Sequence, residues 1–146
     1  ALVGLGSPWW NSDVRGTIVG ITRGTGRSHF VRATLESMAY QVADVAHDMQ
    51  ENGIVVKELR VDGGATKNTF MMEFQADVLG VPVTRATNVE ATAWGAAALA
   101  GLKAGLIKDL AELNAGWQKD LKVSPASDRQ SELAGWRKAL DAAFAF

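Results

Sequence analysis

Apolar positions repeat at helical spacing over much of the first third of the chain. After Gly26 each turn carries an apolar residue or pair, and acidic side chains fall mostly on the other side. Ser28 is a suitable N-cap, and Asn52 with Gly53 is a typical helix end. The pattern predicts one long amphipathic helix between these points. Its predicted apolar stripe is Val31, Leu35, Met38, Ala39, Val42, Val45, Ala46 and Met49.

The hydrophobic period changes in the middle of the chain. Residues 57–62 alternate as in a strand, and apolar residues recur at helical spacing across 70–78. Gly63 and Gly64 lie where strand becomes helix. Glycine backbone permits close approach of a ligand, and a helix N-terminus attracts anions. The pattern leaves two interpretations open, a phosphate-binding turn or a plain connection.

Shorter patterns predict three further elements. Residues 17–21 are rich in β-branched side chains and are predicted to form a strand. Residues 81–84 are predicted to form another, whose proline favours a sheet edge or a strand start. Thr87 and Glu90 have capping-box spacing before a helix over residues 91–106. This helix is rich in alanine and glycine, which favours close packing and leaves a position beside a ligand open.

The last part of the chain is predicted to be helical. Asp109 with Glu112, and Ser127 with Gln130, have N-cap spacing, and residues 122–127 read as a loop. The final helix carries an apolar stripe of Leu133, Trp136, Leu140 and Phe144. Because strands and helices alternate without a repeat, we expect a single α/β domain over residues 1–146.

Composition excludes several classes of function. The 146 residues carry a net charge of −1, with lysine and arginine scattered, so no basic face for nucleic acid is expected. The absence of cysteine rules out disulfides and thiolate metal sites. No stretch is apolar enough for a membrane span, and no signal peptide begins the chain, so a cytoplasmic location is expected. The apolar, glycine-punctuated start without methionine suggests a piece of something longer.

Two other groups of residues have side chains that could form a site. Asp44, His47 and Glu51 have helical spacing suitable for a metal, but a solvated helix face is the preferred interpretation. The tryptophans at positions 9, 10, 94, 117 and 136 are spread along the chain, which favours packing over a sugar-stacking platform. Neither group is assigned a ligand.

Several segments together resemble the FGGY carbohydrate kinases. Residues 16–21 followed by 29–36 are similar to the second signature of that family, with matching intervening length. The likeness continues to the end of the chain through residues 74–80, 95–97, 100–101 and 135–139. Residues 4–10, 15–16, 22–24 and 61–65 resemble the glycerol kinase branch more than other members.

The resemblance implies an actin-like ATPase (ribonuclease H-like) fold, of which this chain is the C-terminal portion of the second domain, without the first strands of the sheet. It implies transfer of the ATP γ-phosphoryl group to glycerol, with Mg²⁺. By the family pattern, Gly64 lies against the nucleotide and Asn68 hydrogen-bonds its adenosine part, while Gly63 and Ala65 complete the turn. Lys67 is interpreted as an exposed lysine.

The resemblance assigns no catalytic residue to this chain. The family's catalytic base, glycerol-binding groups and phosphate loop precede it, and Asp62 is interpreted as structural. The partners implied are glycerol or a related polyol or sugar, the N-terminal domain of the same parent chain and, by family habit, further copies. The piece alone is expected to be inactive, with an unpaired sheet edge. Two alternatives stay open: another sugar kinase such as a xylulokinase, or a non-catalytic interaction module.

Overall fold

A computed structural model describes residues 2–88, 90–115 and 118–145. Within these ranges five α-helices and three strands alternate, as the sequence predicts for an α/β chain. The elements are α1 (Arg27–Glu51), β1 (Leu59–Val61), a 3₁₀ turn (Gly64–Lys67), α2 (Thr69–Leu79), β2 (Val83–Ala86), α3 (Ala91–Lys103), α4 (Leu110–Ala115), β3 (Lys119–Val123) and α5 (Gln130–Phe144).

The three strands form one mixed sheet with β2 in the centre. β1 runs parallel to β2, with Leu59 opposite Val83, and β3 runs antiparallel to β2, with Lys122 opposite Thr84. Pro82 directly precedes β2, and its carbonyl accepts a hydrogen bond from the Leu59 amide at 2.9 Å. Proline is tolerated at this strand start because it lacks only the N–H donor, while its carbonyl still accepts a hydrogen bond from β1.

Helix α2 is the central packing element, with the sheet on one side and helices on the other. Met72 and Ala76 pack with Val83 of β2, and Phe74 and Val78 pack against α1 and α5. Gln75 is 2% exposed, and its side-chain amide donates to the Ala39 carbonyl of α1 at 3.2 Å. The buried carboxamide is therefore satisfied and ties α1 to α2.

The predicted strand at residues 17–21 is wrong for this structure. None of these residues has strand hydrogen bonding, and Ile18, Val19 and Ile21 are 63, 50 and 59% exposed. A strand forms only with a pairing partner, and no strand of the described part of the chain lies beside this segment. The β-branched residues of this segment therefore favour a strand, but no neighbouring strand in the described part of the chain pairs with it.

Helix α1 begins earlier than predicted and buries a narrower face. Its N-cap is Gly26 rather than Ser28, and the Gly26 amide donates to His29 Nδ1 at 3.0 Å. Its end at Asn52 is confirmed. The buried residues of α1 are Ala39, Tyr40, Ala43 and Ala46. Only Ala39 and Ala46 of these belong to the predicted apolar stripe.

The strand β3 was missed, and two predicted caps do not form. β3 covers part of the expected loop, and Ser127 does not cap α5, which begins at Gln130. Thr87 donates its hydroxyl to the Gln118 carbonyl at 3.2 Å instead of capping α3, whose N-cap is Glu90. The Asp109 cap of α4 is confirmed, because its carboxylate accepts from the Glu112 amide at 2.9 Å.

The tail helix packs largely as its stripe predicts. Leu140 is buried with Leu5 and Val14 near the chain start, and Leu133 and Trp136 join the cluster between α1 and α2.

In the described ranges, no helix has the length and apolar character needed to cross a membrane.

Candidate functional site

The glycine turn after β1 is built as strand, turn and helix. β1 ends at Val61, and Gly63 adopts φ +88° and ψ 167° before the 3₁₀ turn begins. This backbone region is essentially restricted to glycine, so the residue type at position 63 is dictated by conformation. The chain then enters α2 at Thr69, with Asn68 between turn and helix.

Thr66 holds the turn from the inside. It is 4% exposed, and its hydroxyl donates to the Gly63 carbonyl at 2.7 Å. The Thr66 amide donates to the same carbonyl at 3.2 Å. Two hydrogen bonds from one residue thus close the loop around Gly63, which fixes the direction of the backbone that follows.

The outer side of the turn is open. Gly64 and Ala65 are exposed, and a Cβ built on Gly64 would meet no atom within 4 Å. Neither the Gly64 nor the Ala65 amide donates a hydrogen bond to any other described residue. Two N–H donors and a clear approach therefore stand side by side at this surface.

Asn68 lies at the junction with α2 and is exposed. Its side-chain oxygen accepts from the Met71 amide at 3.2 Å, so Asn68 is the N-cap of α2. The carboxamide nitrogen has no hydrogen-bond acceptor in the described ranges. Since the cap fixes the side chain, this nitrogen is left as an oriented donor beside the turn. Lys67 and Asp62 are both exposed, as interpreted for the lysine.

A side chain from the sheet fastens the turn from outside. Arg85 of β2 donates from Nη1 to the Thr66 carbonyl at 2.7 Å. Its Nε donates to Asp120 Oδ2 of β3 at 2.8 Å, and its Nη2 donates to the same oxygen. The arginine side chain is 16% exposed, against 48% for the aspartate. Sequence reasoning missed this link because β3 was not predicted.

A concave region lies between α1 and α5, and none of the predicted nucleotide-site residues lines it. This cleft encloses about 780 Å³, and acidic residues line it together with Trp9, His47 and Phe144. Asp44 was expected on a solvated face, but its Oδ2 accepts from the indole nitrogens of Trp136 at 2.9 Å and Trp9 at 3.4 Å. Asp44 therefore joins the chain start to α5.

The electrostatics of this cleft follow from its packing. Burial raises the pKa of Asp44 above its ordinary value, although the two indole donors act in the opposite direction. His47 Nε2 lies 3.3 Å from Glu51 Oε1, one turn further along α1. In the parts of the chain that the structure describes, no three such groups are arranged to hold a metal ion.

The packing role expected of the tryptophans is confirmed for Trp136 and Trp9 but not for Trp10 and Trp94. Trp136 stacks on Tyr40 with ring centroids 5.3 Å apart, and Trp9 meets Phe144 edge-on at 5.6 Å. Trp10 and Trp94, in contrast, are 79 and 55% exposed. Position 117 lies outside the described residues.

Comparison with known sequences identifies close relatives. The chain is 55% identical over 150 residues to a glycerol kinase of Geobacillus sp. (strain WCH70) and 53% identical to one of Bacillus licheniformis. Each alignment covers 100% of this chain and 30% of the relative. The chain thus spans about a third of the length of these curated relatives.

Comparison with solved structures gives the same result. A Plasmodium falciparum glycerol kinase with ADP superimposes with a TM-score of 0.82 and 34% identity, over 98% of this chain and 29% of that one. A ligand-bound xylulose kinase of Lactobacillus acidophilus gives 0.72 and 25% identity, over 95% of this chain and 28% of that one. The chain is thus an α/β piece of the actin-like ATPase fold.

A sequence profile for the C-terminal domain of a kinase family matches residues 1–104, and the last part of the chain is covered by the relatives above. This result agrees with the strand, glycine turn and helix order observed at residues 59–79. The chain belongs to the FGGY family of carbohydrate kinases.

Proposed function

We propose that this chain is the C-terminal portion of a glycerol kinase, which transfers the γ-phosphoryl group of ATP to glycerol and yields glycerol 3-phosphate and ADP. The observation that carries the proposal is 53 to 55% identity to glycerol kinases along the whole chain. The xylulose kinase of Lactobacillus acidophilus is only 25% identical. That difference favours glycerol over xylulose as the acceptor.

The chain supplies part of an adenine-nucleotide site at the turn after β1. Gly63 gives the turn its conformation, and Gly64 leaves room for the nucleotide at the open side. The amides of Gly64 and Ala65 offer donors, and the carboxamide nitrogen of Asn68 offers another for the adenosine part. The donor set fits an electronegative ligand, and ADP is bound in a structural neighbour.

The chemistry of phosphoryl transfer leaves positioning and charge dispersal to the protein. Mg²⁺ bound with the nucleotide in the complete enzyme would supply positive charge to the phosphoryl oxygens. No magnesium ligand is assigned within this chain. The general base and the glycerol-binding groups are assigned to the N-terminal remainder of the parent protein, so this piece alone has no activity.

The partner of the exposed residues 17–21 is the N-terminal remainder of the same parent chain. Ile18, Val19 and Ile21 expose apolar β-branched side chains and an unpaired backbone. Covering them removes apolar surface from water and completes a ladder. In the parent protein, hydrogen exchange at the amides of residues 17–21 should be slow, whereas in the isolated chain it should be fast. Equal protection in both would contradict this contact.

The test of the proposed function is ADP release by the parent protein with Mg²⁺ and ATP, offered glycerol or xylulose in parallel. We expect turnover with glycerol and none with xylulose. Turnover with xylulose alone would overturn the acceptor and keep the nucleotide site. ADP binding without turnover of either substrate would favour the non-catalytic module, and neither binding nor turnover would reject the site as well.

A further inference from the structure

We propose that Arg85, held by Asp120, is a positioning residue that sets the nucleotide affinity of the turn after β1. The two residues are 35 positions apart in sequence and meet on adjacent strands. Neither touches the open side of the turn, so they act through the backbone of Thr66. The inference rests on the proposed nucleotide site, and it adds that two residues of the sheet hold the turn in position.

The geometry makes Arg85 a bridge between sheet and turn. Nη1 donates to the Thr66 carbonyl at 2.7 Å, while Nε and Nη2 both donate to Asp120 Oδ2. A planar guanidinium with fixed donor directions engages two partners at once, which a lysine ammonium does with less geometric definition. The position of the Thr66 carbonyl is therefore coupled to two strands.

The hydrogen bonds of Thr66 carry that position to the ligand-facing backbone. The same residue holds the Gly63 carbonyl through its hydroxyl and its amide. Gly64 and Ala65 lie between these two fixed points, so the direction of their free N–H groups depends on where Thr66 sits. Loss of the arginine leaves the turn closed but free to shift relative to β2, and misdirected donors weaken binding.

Asp120 has a distinct role in this arrangement. Its side chain is half exposed and lies on β3, an edge strand. Its main effect is therefore to orient the Arg85 guanidinium, and the ion pair itself adds little stability. Removing its charge leaves an acceptor oxygen in place. Asp120→Asn should therefore weaken nucleotide binding less than removal of Arg85 does.

The experiment compares three variants of the parent protein, Arg85→Met, Arg85→Lys and Asp120→Asn. ADP affinity is measured by calorimetry with Mg²⁺, and KM is measured for ATP and for glycerol. We expect Arg85→Met to raise the ADP dissociation constant and the KM for ATP about tenfold, because a charged hydrogen bond at 2.7 Å is lost. The KM for glycerol should be unchanged, and Arg85→Lys should restore part of the affinity.

Arg129→Met is the matched control. Arg129 also makes a two-nitrogen contact with one carboxylate oxygen, that of Asp77, but at the other end of α2. Asp77 lies nine residues after Asn68, roughly 13 Å along the helix axis. This variant should lower the melting temperature and leave ADP affinity unchanged.

The outcomes separate the two proposals. A parent protein that binds ADP but does not consume glycerol would refute the proposed function while ADP affinity still tests Arg85. Unchanged affinity in Arg85→Met, an equal loss in Arg129→Met, or an equal rise in the KM for glycerol would refute the positioning role. A parent protein that binds no ADP would refute both.

Discussion

At the scale of single residues, two adjacent glycines meet different requirements. Gly63 has φ +88° and ψ 167°, a region in which a side chain is strained whatever space surrounds it. Gly64 has no such φ, and a Cβ placed there would meet only open space. The first glycine is therefore required by the fold. The second is not, and its small size fits the proposed approach of a nucleotide to the outer side of the turn.

Alanine at each position separates these requirements. Gly63→Ala should lower the free energy of unfolding by about 1 to 3 kcal/mol, because the backbone must adopt a strained conformation. Gly64→Ala should leave stability unchanged and weaken ADP binding, because its methyl group occupies the open side. Chemical denaturation and calorimetry of both parent variants give the comparison. Full ADP affinity in Gly64→Ala would show that the nucleotide does not approach position 64.

At the scale of elements, Asp77 fastens the loop before α5 to the end of α2. Its Oδ1 accepts from the amides of Ala126 and Ser127 at 2.8 and 3.0 Å, and its Oδ2 accepts from Arg129. Burial by itself raises the pKa of this carboxyl, but the amide and guanidinium donors outweigh burial and hold the pKa below its ordinary value of 3.8. The folded state therefore favours the ionised form.

The sign of the pH dependence follows from that shift. A lowered pKa in the folded state gives stability that is present above the unfolded value of 3.8 and is lost as the pH falls through the folded value. At neutral pH, Asp77→Asn should lower the free energy of unfolding by about 2 kcal/mol, with less effect in acid. Denaturant titrations at several pH values measure it.

Asp128→Asn is the control for this substitution. Asp128 is exposed, and its Oδ1 accepts from the Gln130 amide at 2.9 Å, a contact that asparagine reproduces. It should change stability little at any pH. An Asp77→Asn effect that is the same at neutral and acidic pH would contradict the role of its charge.

The elements that the sequence predicted well are those with strong local periodicity. α1 and α2 have long apolar repeats, and the glycine turn between β1 and α2 was located from the change of period alone. β3 was missed because it has only two apolar positions, Leu121 and Val123, which is too short an alternation to distinguish a strand from a loop. Its pairing with β2 depends on residues far away in sequence, which no local pattern contains.

At the scale of the whole molecule, the described elements form layers around α2, with a three-stranded sheet on one side and α1 with α5 on the other. A family resemblance and a local turn both indicate Gly63, Gly64, Ala65 and Asn68 as the candidate site, and their contact with a nucleotide stays a prediction. The bracing by Arg85 depends on the sheet, so it became visible only in three dimensions.

The exposure of apolar residues is also explained only at the scale of the whole molecule. The row at residues 17–21 is the clearest example, since its composition favours a strand and its surroundings within this chain offer no pairing partner. Sequence propensity and structure disagree there because strand formation requires two segments. The disagreement is removed by the proposed contact with the N-terminal remainder.

The central claim is that the backbone of the turn after β1 contacts the nucleotide, and amide hydrogen exchange in the parent protein tests it most directly. The Gly64 and Ala65 amides donate to no other described residue, so they should exchange quickly without nucleotide. With saturating ADP and Mg²⁺ their exchange should slow markedly, while the amide of Ala76 in the core of α2 should not change. Unchanged exchange at both Gly64 and Ala65 when ADP is bound would contradict the account.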